Sequence, residues 1–375
     1  MLKNKIYKYL SNEIFRNFIT ILLTFSAIAW VVRAVNFLDL MVDDGYSSVI
    51  YFKYSLLNIS TIMTRFVPLA FLLSLTISII KLERQQEFLI LWTIGLAKIR
   101  IANVFLLVAI FITLFQLMLS LFVNPYLLNK SRTLLGNTES LQINSALRSN
   151  EFIDAYRGIT FYIERKNSNN ELINILIKDE MGNFNTAINE VGEKKNSTII
   201  AKKGFIDNNK LILFDGLIQT LSYKNEIKNI KFTKTELNLK NITTNTVKLP
   251  KIQETSSSSL FKCVFNDYDK SSLNYCSKDY KNEATQALSR RLGAPLYIPL
   301  VSIIISFLLI HKKESKFIFL KKYILFILSF VILILAEIIL KYTGLFLSVA
   351  SSYFILPIAV SFLSYIYLLK KMKTR

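Results

Sequence analysis

Five basic side chains sit where the chain otherwise reads as hydrocarbon: Arg33, Arg65, Arg290, Arg291 and Lys341 lie within, or at the ends of, long apolar runs. Burying a cation in a bilayer costs at least about 2.5 to 3.5 kcal/mol, so such residues face a cavity, a partner charge or the interface. A guanidinium can hold a phosphate with two parallel hydrogen bonds, so a ring of these cations at one depth would suit an anionic head group entering sideways from the membrane. Snorkelling to the interface competes with this reading, more for Lys341 and Arg290 than for Arg33 and Arg65. Glu337, four residues before Lys341, can pair with it. Asn58, Ser60, Thr61, Thr64, Ser74, Thr76 and Ser78 add polar groups beside Arg65, which fits a helix facing a cavity or another helix.

Other chemistry is sparse. His311 is the only histidine, so Ser-His-Asp catalysis or a histidine-based metal site has almost nothing to work with. No glycine begins GxxxxGK[ST], so nucleotide hydrolysis is expected on another chain, and no cofactor or metal is expected on this one.

The elements that must position the cations are membrane helices. The 375 residues are 52% hydrophobic and 13% aromatic, with a mean hydropathy of +0.38, which excludes disordered, fibrous and ordinary soluble classes. Hydropathy predicts six spans, at about 18–38, 59–80, 101–123, 292–310, 323–340 and 345–369. The first has no small-residue cleavage site and reads as a retained helix rather than a signal peptide.

A net charge of +20 could mark a nucleic-acid binder, but its distribution argues otherwise. Basic residues crowd four short segments: the start, the loop between spans two and three, the loop between spans four and five, and the C-terminal tail. Asp39, Asp43 and Asp44 follow span one. That asymmetry places both termini in the cytoplasm and a segment of about 124–289 outside it, and leaves no call for nucleic acid.

Within that segment, ITFYIERK, LINILIKDE, STIIAKKGFI, NKLILFDGLIQTLSY and IKNIKFTKTELNL mix β-branched and aromatic residues with polar ones between turn signals. They predict an antiparallel β domain, a sandwich or jellyroll, preceded by a helical continuation of span three over Tyr126 to Leu147 with a break plausible at Gly136 and Asn137. Cys263 and Cys276 fall in the same segment, where a disulfide is favoured over two free thiols. The domains expected are therefore 1–123, with three spans and a short amphipathic helix at about 82–95; 124–289, the β insert; and 290–375, with three more spans and a basic tail.

The stretches VVRAVNFLDLMVDDG, ExxxLxxxG from Glu87 to Gly95, GFIDNNKLILFDGLIQ and ALSRRLGAPLYIPL, in this order around an insert after span three, resemble the LptF/LptG permease family of lipopolysaccharide export, the LptF branch more than LptG. The resemblance covers essentially the whole chain. It implies a non-catalytic permease in the bacterial inner membrane, with a periplasmic β-jellyroll. It also implies partnership with an LptG-like second permease, a pair of LptB-like ATPases that bind the ATP, and an LptC-like single-span jellyroll protein. Lipopolysaccharide would be extracted from the outer leaflet and passed along the jellyrolls. Arg33 would then contact lipid phosphates, and Glu87, with Gly95 ending its helix, would face the ATPase. Phe88 to Ile94 is unusually apolar for that contact. A lipoprotein-release or mechanotransmission permease is the alternative, but that class usually places its outer domain after span one; a membrane-anchored sensor would need a cytoplasmic output domain.

Overall fold

The computed structural model describes residues 2–38, 41, 47–146, 149–156, 158–167, 171–182, 184, 196–207, 210–221, 227–238, 251–265, 276, 278–310 and 318–373. Six helices are long and apolar enough to cross a membrane: Lys5–Asn36, Ser48–Arg84, Lys98–Leu135, Tyr280–Ile310, Lys322–Tyr342 and Ser348–Met372. Helices suit such runs because a chain in hydrocarbon must satisfy its own backbone hydrogen bonds. Span four is the centre of the bundle, 72% buried over its apolar window, whereas spans one, five and six are each 17% buried and leave broad apolar faces open. Phe71, Leu75 and Ile79 of span two, Phe105, Val108 and Ile112 of span three, and Ile298, Val301 and Ile305 of span four form the core. Ser74, Ser78, Ala102, Ala109, Ser302 and Ser306 are buried small residues that let these helices approach closely.

At the end of the bundle where spans two and three are joined, ion pairs tie helices together. Glu13 is buried in the first helix, α1 (Leu2–Asn36), and takes both Lys81 of span two and its own neighbour Arg16. Glu83 pairs with Lys322 at 2.7 Å, linking spans two and five. The charges that read as topological bias are thus partly structural. Asp39, Asp43, Asp44 and His311 lie outside the described residues.

The helix expected at about 82–95 is two elements. Span two stays helical to Arg84, the chain turns at Gln86 with φ 59°, and a helix of only seven residues, Glu87–Thr93, follows. It buries Phe88 and Leu91. Gly95, at φ 82°, closes it: Leu96 N–H donates to Leu91 O, and a residue with a side chain is strained in that left-handed position.

The chain divides into two compact units, one of residues 1–33, 57–129 and 251–375, the other of 34–56 and 130–250. These bounds differ from the three domains expected along the sequence. The stretch 251–288 clusters with the spans because Leu260 forms an apolar core with Ala284 and Leu288 at the start of span four, while 34–56 clusters with the sheet-bearing unit.

The second unit holds six strands, β1 (Phe152–Tyr156), β2 (Ile159–Lys166), β3 (Leu172–Asp179), β4 (Ser197–Asp207), β5 (Lys210–Leu221) and β6 (Ile227–Asn238). Each pairs antiparallel with its sequence neighbours, so the described sheet is a meander, without the crossovers of a jellyroll among the described residues. The helix before it, Asn124–Ala146, runs unbroken through Gly136 and Asn137. Ile159, Phe161, Ile163, Ile175, Ile177, Ile199, Leu211 and Leu213 are among the residues that build its apolar core. The buried phase switches within strands: Leu172 and Ile175 are both buried, as are Leu213 and Ile218, with Asn174 and Asp215 at positive φ between them. Asn and Asp tolerate that region best among residues with a side chain, and one such residue turns the following side chains over.

Gly216, beside Asp215, faces the Ile200 carbonyl and the Phe232 ring so closely that a Cβ would overlap both. Gly216→Ala is expected to destabilise this unit by about 1 to 3 kcal/mol, as overpacking does. Hydrogen exchange of the β4 and β5 amides in the full chain reads this, and unchanged protection would contradict it.

Candidate functional site

A cavity of about 360 Å³ opens among spans two to five. Span two contributes Thr61, Thr64, Arg65 and Pro68; span three contributes Gln116, Ser120 and Asn124; span four contributes Gln286, Arg290 and Arg291; span five contributes Glu337.

Each of spans two, three and four departs from a regular α-helix at this level. Pro68 has no N–H to give to the Thr64 carbonyl four residues earlier, and Gln116 Nε2 of span three donates to that carbonyl instead, at 3.1 Å. Asn124 accepts from Ser60 Oγ at 2.7 Å and donates to Thr64 Oγ1 at 2.9 Å, extending the polar ladder between the two spans. Spans three and four each contain one π-helical turn, Leu119–Val123 and Ser289–Gly293. Such turns loosen backbone carbonyls and occur often at functional sites. Here side chains take them up: Ser120 Oγ donates to Arg291 O and Ser257 Oγ to Leu121 O, both at 2.8 Å.

Gln116→Leu is expected to leave the Thr64 carbonyl orphaned, at a cost of about 1 to 3 kcal/mol. Adding Pro68→Ala restores the helical donor, so the double variant should recover stability relative to Gln116→Leu alone. Thermal unfolding of the four proteins of this cycle measures it; strictly additive effects would contradict the coupling.

The expected cations separate into different roles. Arg65 is exposed into the cavity, and both Arg33 and Arg290 lie close enough to repel its charge. Among the described residues no carboxylate lies within 4 Å of Arg33 or Arg65. Arg290 Nη2 stands 3.5 Å from Glu337 Oε2, so Glu337 reaches across to span four rather than down its own helix to Lys341. Lys341 is exposed at the end of span five and does not line the cavity.

Arg291 is different again. It is 7% exposed, and its guanidinium donates to Thr255 O at 3.0 Å, Ser257 Oγ at 2.8 Å, Ile252 O at 3.3 Å and Gln253 O at 3.1 Å. Its donors are committed to the carbonyls of residues 252, 253 and 255 and to the Ser257 hydroxyl, which makes it a clamp on that segment at the cavity wall and corrects its expected role as a ligand-facing cation. The sequence had no signal for this, since the acceptors are carbonyls about 35 residues away.

Glu87 lies away from the cavity at the joined end of spans two and three, where it accepts a hydrogen bond from Tyr9 at 3.1 Å. Beside it, Leu89, Ile90 and Ile94 are exposed, while Trp92 stacks on Phe88 and carries Lys98 over its ring at 4.5 Å. Cys263 and Cys276 are joined by a disulfide, with their Cα atoms 6.0 Å apart.

Six spans, an antiparallel β domain inserted after the third, and a polar cavity among the helices into which Arg65 is exposed define a multi-pass membrane protein. The chain matches, over residues 8–371, the family model described as lipopolysaccharide export system permease LptF/LptG, and it belongs to that family. It is thus a multi-pass inner membrane protein of the lipopolysaccharide export system. No curated protein matches it.

Proposed function

We propose that this chain is the LptF-like permease subunit that takes lipopolysaccharide from the outer leaflet of the inner membrane, with ATP hydrolysis supplied by a separate LptB-like pair. An LptG-like permease completes the path, an LptC-like protein joins it, and the β domain, on the periplasmic side, receives the lipid. Both termini are cytoplasmic in this reading.

The observation that carries it is Arg65 exposed into the cavity without a carboxylate partner among the described residues, with Arg290 beside it and Arg33 nearby. Arg65 is about 24 Å along a helix from Lys81, at the opposite side of a bilayer of ~30 Å from the basic loop. Head-group phosphates of an outer-leaflet lipid would arrive at that height. Glu87, Gly95 and the exposed Leu89, Ile90 and Ile94 supply the surface that meets the ATPase.

Photocrosslinkers at positions 33 and 65 and in the β domain, in cells with and without an active partner ATPase, test this. Lipopolysaccharide adducts at the span positions, with ATPase-dependent adducts in the β domain, are the expected outcome. Protein adducts alone at every position would sink the substrate assignment and leave the fold untouched.

A further inference from the structure

The segment between the sheet and span four carries a helix, α2 (Ser257–Phe265), whose residues do not line the cavity. Its inward residues, Leu260 and Cys263, are buried against the helix Lys278–Leu288 that leads into span four. Its outward residues fall at helical spacing: Ser258, Phe261, Lys262 and Phe265. Phe261 is 49% and Phe265 68% exposed, with ring centroids 4.4 Å apart. Two large aromatic rings turned outward beside a lysine would be a poor surface to leave in water.

The height of this helix follows from its attachments. Starting at Ile101, just after Arg100, about twenty residues of helix cross the ~30 Å of hydrocarbon, which brings span three to its far boundary at Leu121. The same count backward from Ile310 reaches Arg291. Ser257, the first residue of α2, donates to Leu121 O, and Arg291 holds Thr255 and Ser257. The Cys263–Cys276 disulfide closes the other end. The helix is therefore pinned at its start to the boundary between hydrocarbon and head groups.

We propose that α2 is an interfacial helix whose partner is the bilayer itself: Phe261 and Phe265 enter the region between acyl chains and head groups, and Lys262 meets lipid phosphate. Short helices with one apolar aromatic face and a flanking cation bind such interfaces. The proposal concerns bulk lipid at the rim of the cavity and stands whether or not the cavity holds lipopolysaccharide.

The test uses the full chain in its purified complex, in nanodiscs of phosphatidylethanolamine and phosphatidylglycerol. p-Acetylphenylalanine replaces Phe261 or Phe265, one at a time, and is coupled to a nitroxide. Electron paramagnetic resonance then compares collisions with oxygen, which partitions into lipid, and with a nickel chelate, which stays in water. A third label at Phe122, 70% exposed on span three, gives the lipid-facing reference. The expected result is an oxygen-to-chelate ratio at 261 and 265 several-fold above that of a label in free solution and approaching that at 122. Chelate access matching the free label would overturn the proposal, because the face would be in water. Immobile spectra shielded from both reagents would overturn it too, because another protein surface would cover the face. Because each site is labelled separately, misfolding of one labelled protein leaves the other to decide.

Discussion

Arg65→Ala is expected to weaken capture of lipopolysaccharide by about 10- to 100-fold while leaving the melting temperature nearly unchanged. The magnitude comes from a charge-assisted hydrogen bond to phosphate, ~1.5 to 3 kcal/mol, with tenfold in affinity for every ~1.4 kcal/mol. The separation of binding from stability comes from placement. Arg65 is exposed in the cavity and has no ion-pair partner among the described residues, so its removal orphans nothing. Arg65→Lys keeps the charge but loses the planar fork, and should fall between Arg65→Ala and the parent. Titration of nanodisc-embedded complex with lipopolysaccharide, beside a melting curve, reads both quantities. Full affinity in Arg65→Ala would remove this residue from the site.

Arg291→Ala is expected to do the reverse. Its guanidinium satisfies three backbone carbonyls and the Ser257 hydroxyl, so truncation strips four hydrogen bonds from part-buried acceptors at once. Each buried group so stranded costs about 1 to 3 kcal/mol, and the sum should reach ~3 kcal/mol or more. The stretch 251–265 should come loose first and be cut early by protease, while the sheet keeps its protection. Arg291→Lys retains charge but cannot reach four acceptors, so it should recover little. A variant with native melting and native protease resistance would show that the clamp is dispensable.

Arg290 and Arg291 illustrate where sequence reading stops. Both were readable as cations opening span four, and nothing in their order along the chain separates them. Successive residues on a helix point about 100° apart, so one faces Glu337 and the cavity while the other is driven into the segment behind it. The π-turn at Ser289–Gly293 adjusts that rotation further, and no composition rule announces it.

Similar limits apply elsewhere. The loop after span two read as one amphipathic helix because apolar residues recur, but Gln86 in a left-handed conformation splits it. The strand runs were readable but their buried faces were not, because the phase reverses at Asn174 and Asp215, where a single backbone torsion decides which face is buried. Gln116 went unnoticed, although Pro68 four residues after Thr64 was the clue that a carbonyl would need a donor from a neighbouring helix.

The sequence by itself determined six spans and an antiparallel β insert after the third, and it marked the cations among the apolar runs. Those features follow from composition, period and charge, which act locally along the chain. Tertiary structure alone decided which cations face a shared space, which one is a clamp, and where the compact units divide. Those outcomes depend on helix rotation and on partners distant in sequence, through apolar packing as at Leu260, Ala284 and Leu288 and through hydrogen bonding as at Arg291.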